Sequence, residues 1–154
     1  MAKQEWNRLP DDQLAKRLGR TLGVAWDVGQ RPRLGGSAGY HAEVGTDAWV
    51  ALQVERKHNH PAENVLQYWP WLERSRRRLV LVHAIAPDAR KRNGRRADLT
   101  TWLGAMMERV LPGRFRYCRL ELGTGDQAGQ LDAAITAIAA LREPAAERPL
   151  LPGH

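Results

Sequence analysis

Leu14, Leu18 and Leu22 recur every four positions behind Pro10-Asp11-Asp12. This spacing predicts a helix over residues 11–22, stopped by Gly23. Val24 to Val28 reads as a short strand, and Pro32, Gly35, Gly36 and Gly39 mark a loop. Two extended runs follow, residues 40–44 and 48–55, around Gly45-Thr46-Asp47, which is a hairpin pattern. In the second run Val50, Leu52 and Val54 alternate with Trp49, Ala51, Gln53 and Glu55. The aliphatic set faces the core, so Gln53, Glu55 and Lys57 share the opposite face. Pro61 suits the first position of a helix reaching about Arg76, with Val65, Leu66, Trp69 and Leu72 on one side and a kink at Pro70. Residues 79–85, Leu-Val-Leu-Val-His-Ala-Ile, are almost wholly apolar, as in a strand covered on both faces. Arg90 to Arg96 reads as a basic loop. A helix from Asp98 carries Leu99, Trp102, Leu103, Met106 and Val110, which places Trp102, like Trp69, in the core. A strand over 115–122 and a helix marked by Leu131, Ile135, Ile138 and Leu141 complete residues 1–143 as one domain. Residues 144–154 form a Pro-rich tail.

Helices interposed between the later strands predict an α/β fold, a central mixed sheet flanked by helices on both faces. At 154 residues the chain can bury one sizeable core. Charge adds a partner class. Lys plus Arg number 24 against 17 acids, a net charge of +7, and all but four of the bases are arginine. Such a balance favours anionic partners, nucleic acid first, and arginine suits bidentate phosphate contacts. The single cysteine, Cys118, excludes an internal disulfide and fits a reducing cytoplasm. No apolar run reaches the roughly 20 residues of a membrane span, so no membrane partner is expected.

The candidate chemistry centres on Glu55-Arg56-Lys57 at the end of its strand. A helix, three strands, a helix and a further strand, with Glu-x-Lys closing the third strand, resemble the αβββαβ core of the PD-(D/E)xK, or restriction-endonuclease-like, superfamily. The resemblance covers about residues 11 to 85. It implies hydrolysis of DNA or RNA phosphodiester bonds with Mg²⁺ (or Mn²⁺), Glu55 a metal ligand and Lys57 the catalytic lysine. Carboxylate oxygens suit Mg²⁺, and the metal activates water and offsets developing charge. The family's Pro-Asp acid is missing. Glu43 is the preferred substitute as second ligand, with Asp27 behind it. A three-residue turn would put His41, Glu43 and Glu55 on one face; a two-residue turn would not. The missing acid also keeps open a catalytically inactive module of the same fold that binds nucleic acid or a protein partner, including a second copy.

The family's following helix often contributes a polar side chain to the site, a part assigned to Gln67, with Asn64 one turn earlier. His58 and His60, with His41, form a weaker zinc pattern lacking any cysteine. His83, amid aliphatics, reads as a core histidine. Two basic clusters are candidate phosphate contacts: Arg76 and Arg77 after the second helix, and Arg90, Lys91, Arg92, Arg95 and Arg96. Trp6, Trp49 and Trp71 are candidates for stacking or interface roles.

Overall fold

The structure is a computed structural model that describes residues 6, 8–27, 39–56 and 61–144, the side chains of 90–97 excepted. Lys57, His58, His60 and the tail from residue 145 lie outside the described residues, as do the side chains of Arg90, Lys91, Arg92, Arg95 and Arg96. Helix α1 (Asp11–Leu22) leads to strands β1 (Tyr40–Gly45) and β2 (Ala48–Glu55). Two short helices follow, α2 (Pro61–Leu66) and α3 (Tyr68–Glu73). Then come β3 (Arg78–Ile85), α4 (Pro87–Val110), β4 (Phe115–Glu121) and α5 (Gln127–Arg142). The sheet runs β1-β2-β3-β4, with β1 antiparallel to β2 and β2, β3 and β4 mutually parallel.

Both faces of this mixed sheet are covered. On one, Leu14, Leu18 and Leu22 of α1 and Ala134, Ile138 and Leu141 of α5 pack on Val50, Leu52, Val80, Val82 and Leu120. On the other, Val65, Tyr68, Leu72 and Met107 cover Ala51, Leu79, Leu81 and Phe115. The continuous apolar run in β3 is explained by this double coverage.

The expected strand at residues 24–28 does not form within the described residues. Residues 24–27 run beside β1 and make one ladder-like bond, from the Asp27 amide to the His41 carbonyl at 2.8 Å. Glu55 therefore ends the second strand of the sheet rather than the third. The helix expected over 61–76 is broken at Gln67. Pro70 has no amide hydrogen for the Leu66 carbonyl, and its ring crowds that turn, so the chain restarts as α3. The basic segment 90–96 is helical, not a loop. Pro87 occupies the first turn of α4, and Arg, Lys and Ala propagate the helix past Gly94 at a cost of about 1 kcal/mol.

Helix α4 also faces the sheet differently from the leucine and tryptophan spacing. Its buried line is Thr100, Gly104 and Met107, while Leu99 is 55% and Trp102 59% exposed. The helix docks where its side chains are smallest. A Cβ on Gly104 would come within 3.0 Å of Cβ, Cγ and Cδ1 of Tyr117. Gly104→Ala is expected to destabilise the fold by about 2 kcal/mol despite alanine's better helix propensity. The check is a lower denaturant midpoint at unchanged m-value.

The outer edge of β4 is covered by side chains. Glu108 of α4 accepts from the Tyr117 amide at 2.7 Å, and Gln130 of α5 accepts from the Glu121 amide at 2.6 Å. These contacts occupy donors that would otherwise template strand addition.

Candidate functional site

The hairpin register sets the site. Its turn has two residues, Thr46 and Asp47, with Asp47 in the left-handed region at φ 54°. A register shift between Glu43 and Gly45 inserts Val44 as a bulge. Beyond it His41 lies opposite Ala51, so His41 and Glu43 share the face of Gln53 and Glu55. The parallel ladder places Gln53 beside His83 and His83 beside Arg119. One step further along it places Glu55 beside Ile85 and Ile85 beside Glu121. A polar seam thus crosses the sheet under α2, α3 and α4, towards the carboxyl ends of the parallel strands. Open α/β sheets bind ligands at that end.

Glu55 is buried, 1% exposed, in this seam. Its Oε1 lies 3.0 Å from His83 Nε2 and accepts from Asn64 Nδ2 of α2. Among the described residues its buried Oε2 has no hydrogen-bond partner. His83, fully buried, has its other ring nitrogen, Nδ1, 2.8 Å from Tyr117 Oη. Burial holds the Tyr117 phenol far above its ordinary range. The opposing Arg119 charge and the Thr101 hydrogen bond do not offset that burial, and the charge of Glu55 adds to it. Tyr117 therefore keeps its proton at neutral pH. Arg119 flanks this chain, with Nη1 2.8 Å from Thr101 Oγ1 and 3.3 Å from Asp98 Oδ1. A second arm joins Gln53 Nε2 to Tyr68 Oη at 2.7 Å and Tyr68 Oη to His41 Nε2 at 3.0 Å.

The other predicted residues lie elsewhere. Glu43 is exposed and opposite Trp49, roughly 20 Å down the strand from Glu55. Asp27 is exposed beyond β1, on the order of 15 Å away by strand spacing and offset. Neither can share an ion with Glu55. Glu121 ends β4 two strands away, with its Oε1 3.4 Å from Arg119 Nε. Gln67 turns back on its own helix, donating to the Asn64 carbonyl at 2.9 Å, so Asn64 is the helix residue that reaches Glu55. Arg56 points away from the seam and ties α1 to β2, its Nε 2.6 Å from Asp11 Oδ1.

Arg76 and Arg77 precede Arg78, which lies opposite Ala48 at the far end of the sheet from Glu55. Arg77 covers Trp71 at 5.1 Å, and Trp71 meets Trp49 edge-on at 6.2 Å, so these half-buried rings pack on each other. By contrast α4 starts at the site: the Ala86 amide donates to the Glu55 carbonyl at 2.9 Å. Its first turns carry Arg90, Lys91, Arg92, Arg95 and Arg96. Cys118 is buried on the other face, and burial raises its thiol to about 11, which leaves it unreactive at neutral pH.

Among the described residues no three His, Cys, Asp or Glu side chains form a metal-binding group. His41, the described member of the zinc pattern, faces Tyr68 instead. Glu55 Oε2 is one hard oxygen donor. Mg²⁺ is commonly held by one or two carboxylates together with water and substrate phosphate, so Glu55 suits that ion as a single protein ligand. No helix among the described residues is long and apolar enough to cross a membrane.

Sequence reasoning missed His83 as a site residue, placed Gln53 on the face of Glu55 without a role, and missed Tyr117 and Arg119 altogether. One signal was present: a histidine inside a doubly covered strand needs two buried partners, and Gln53 and Glu55 are polar residues facing inward on the neighbouring strand. Comparison with protein families, characterised proteins and solved structures gives no match.

Proposed function

We propose that the chain is a nuclease-like protein that hydrolyses phosphodiester bonds in DNA or RNA, with Glu55 as its reacting acid and Lys57 as its basic partner. The observation that carries this reading is the asymmetric hold on Glu55, with Oε1 met by Asn64 and His83 and the buried Oε2 without a partner among the described residues. A carboxylate kept only for stability would have both oxygens satisfied. The resemblance to the restriction-endonuclease-like core adds Lys57, two residues along from Glu55. Mg²⁺ or Mn²⁺ held by Glu55 Oε2 would activate water and neutralise charge on the phosphate. The chain's own part is orientation: Asn64 and His83 fix the carboxylate, and the basic first half of α4 supplies phosphate contacts beside it.

A second reading, a non-catalytic nucleic-acid-binding module of the same architecture, is favoured by the distance of Glu43 and Asp27 from Glu55. Cleavage of single- and double-stranded DNA and RNA with Mg²⁺ or Mn²⁺ separates the two. Lys57→Ala is expected to lower cleavage by about 10²–10⁴-fold while leaving binding and its salt dependence nearly intact. Intact substrate under all conditions, with salt-sensitive binding retained, selects the binding module. Equal cleavage by Lys57→Ala removes that lysine from the reaction.

A further inference from the structure

We propose that His83 is the positioning residue of Glu55, set in a single tautomer by Tyr117, so that Glu55 meets its substrate with Oε2 alone. The inference rests on the reading of Glu55 as the reacting acid. It starts from donor and acceptor capacity. Asn64 Nδ2 can only donate, so the Glu55 oxygen it meets is an acceptor. His83 Nε2 meets that same oxygen at 3.0 Å and, against a carboxylate, carries the hydrogen. With the ring hydrogen on Nε2 alone, Nδ1 is an acceptor, and the group it faces at 2.8 Å is the hydroxyl of Tyr117. That phenol retains its proton, and its oxygen also hydrogen-bonds the Thr101 side chain. Each hydrogen bond in the sequence Tyr117 to His83 to Glu55 thus has one direction.

His83 is fully buried, so water does not compete for either nitrogen. Tyr117 is fixed from above by Gly104, whose lack of a side chain lets α4 close on the ring. The groups facing this chain from neighbouring elements are Asn64 of α2, Thr101 of α4 and Arg119 of β4. With Oε1 met by groups from two different elements, rotation of the carboxylate would break both contacts, and Oε2 is the oxygen left for a substrate or ion that enters the buried seam.

The test is nitrogen NMR of the full chain labelled at histidine, with no substrate present. His83 is expected as the neutral Nε2–H tautomer, and Tyr117→Phe is expected to mix the two tautomers. In cleavage assays Tyr117→Phe should lower kcat by about 10–100-fold at unchanged KM. His83→Gln, which keeps a donor towards Glu55, should retain more activity than His83→Leu at equal folded fraction. An Nδ1–H tautomer or a doubly protonated ring in the native chain overturns the proposal, as does Tyr117→Phe with both tautomer and kcat unchanged. The tautomer is read without catalysis. A chain that cleaves nothing yet shows Nε2–H thus loses the nuclease reading and keeps the hydrogen-bond assignment.

Discussion

Glu55→Gln is expected to reduce phosphodiester cleavage on the order of 10³-fold while leaving the melting temperature within a few degrees of the parent. The amide preserves shape. Its oxygen can take the place of Oε1 and accept from His83 and Asn64, and those two donors select that orientation over the flipped one. What changes is the position of Oε2, which has no partner among the described residues, where a neutral NH₂ replaces an oxygen able to hold a cation or accept a proton. Activity and stability therefore separate. Thermal unfolding and near-ultraviolet circular dichroism measure the fold, and single-turnover cleavage measures the chemistry. A variant that loses both equally would mark Glu55 as structural.

His83→Leu is expected to act in the opposite sense, destabilising the fold by about 3 kcal/mol. The leucine fills the space of the ring but donates nothing. Glu55 then keeps Asn64 as its remaining partner among those described, and Tyr117 Oη loses Nδ1 within the same buried layer. Cost arises mainly from polar groups left behind, which gives a diagnostic. Glu55→Met combined with His83→Leu removes both partners of the central bond and should recover more than 1 kcal/mol relative to the sum of the single changes. Urea unfolding of the four proteins measures this coupling. Strict additivity would show that the bond between Glu55 and His83 contributes nothing.

Local periodicity made much of this fold legible. Leu14, Leu18 and Leu22 located α1 to its boundaries, and the apolar run of β3 signalled a strand with both faces covered. The hairpin's face assignment also followed from alternation on β2, although the Val44 bulge, which turns His41 towards Gln53, leaves no mark in the sequence pattern. Helix α4 was the main misreading. Arg90 to Arg96 looked like a loop because charge and Gly94 were weighed above propensity. The apolar spacing with Leu99, Leu103, Met106 and Val110 points Trp102 to the core, whereas close docking on Tyr117 selects Thr100, Gly104 and Met107. Such a choice depends on the residue opposite, which no single segment contains.

The site divides along the same line. Glu55 was accessible from its position at a strand end, since alternation fixed its face and the following Pro61 fixed where the next helix begins. Its partners were not. His83 meets Glu55 through the parallel pairing of β2 with β3, a register set by the crossover between them rather than by either strand. Tyr117 requires a second crossover to β4. Asn64 and Gln67 illustrate the finer limit. They lie one turn apart on the same side, and the break before α3 leaves Asn64 on the site and turns Gln67 back to the helix backbone.

The central claim is that Glu55 is held by one oxygen so that the other can react. Its most direct measurement is cleavage of single- and double-stranded DNA and RNA by the parent chain and Glu55→Gln, side by side, with Mg²⁺ or Mn²⁺ and with both proteins verified as folded. The predicted result is metal-dependent cleavage by the parent and a loss on the order of 10³-fold in the variant. Equal cleavage by both proteins, or none by the parent on any of these substrates, would contradict it.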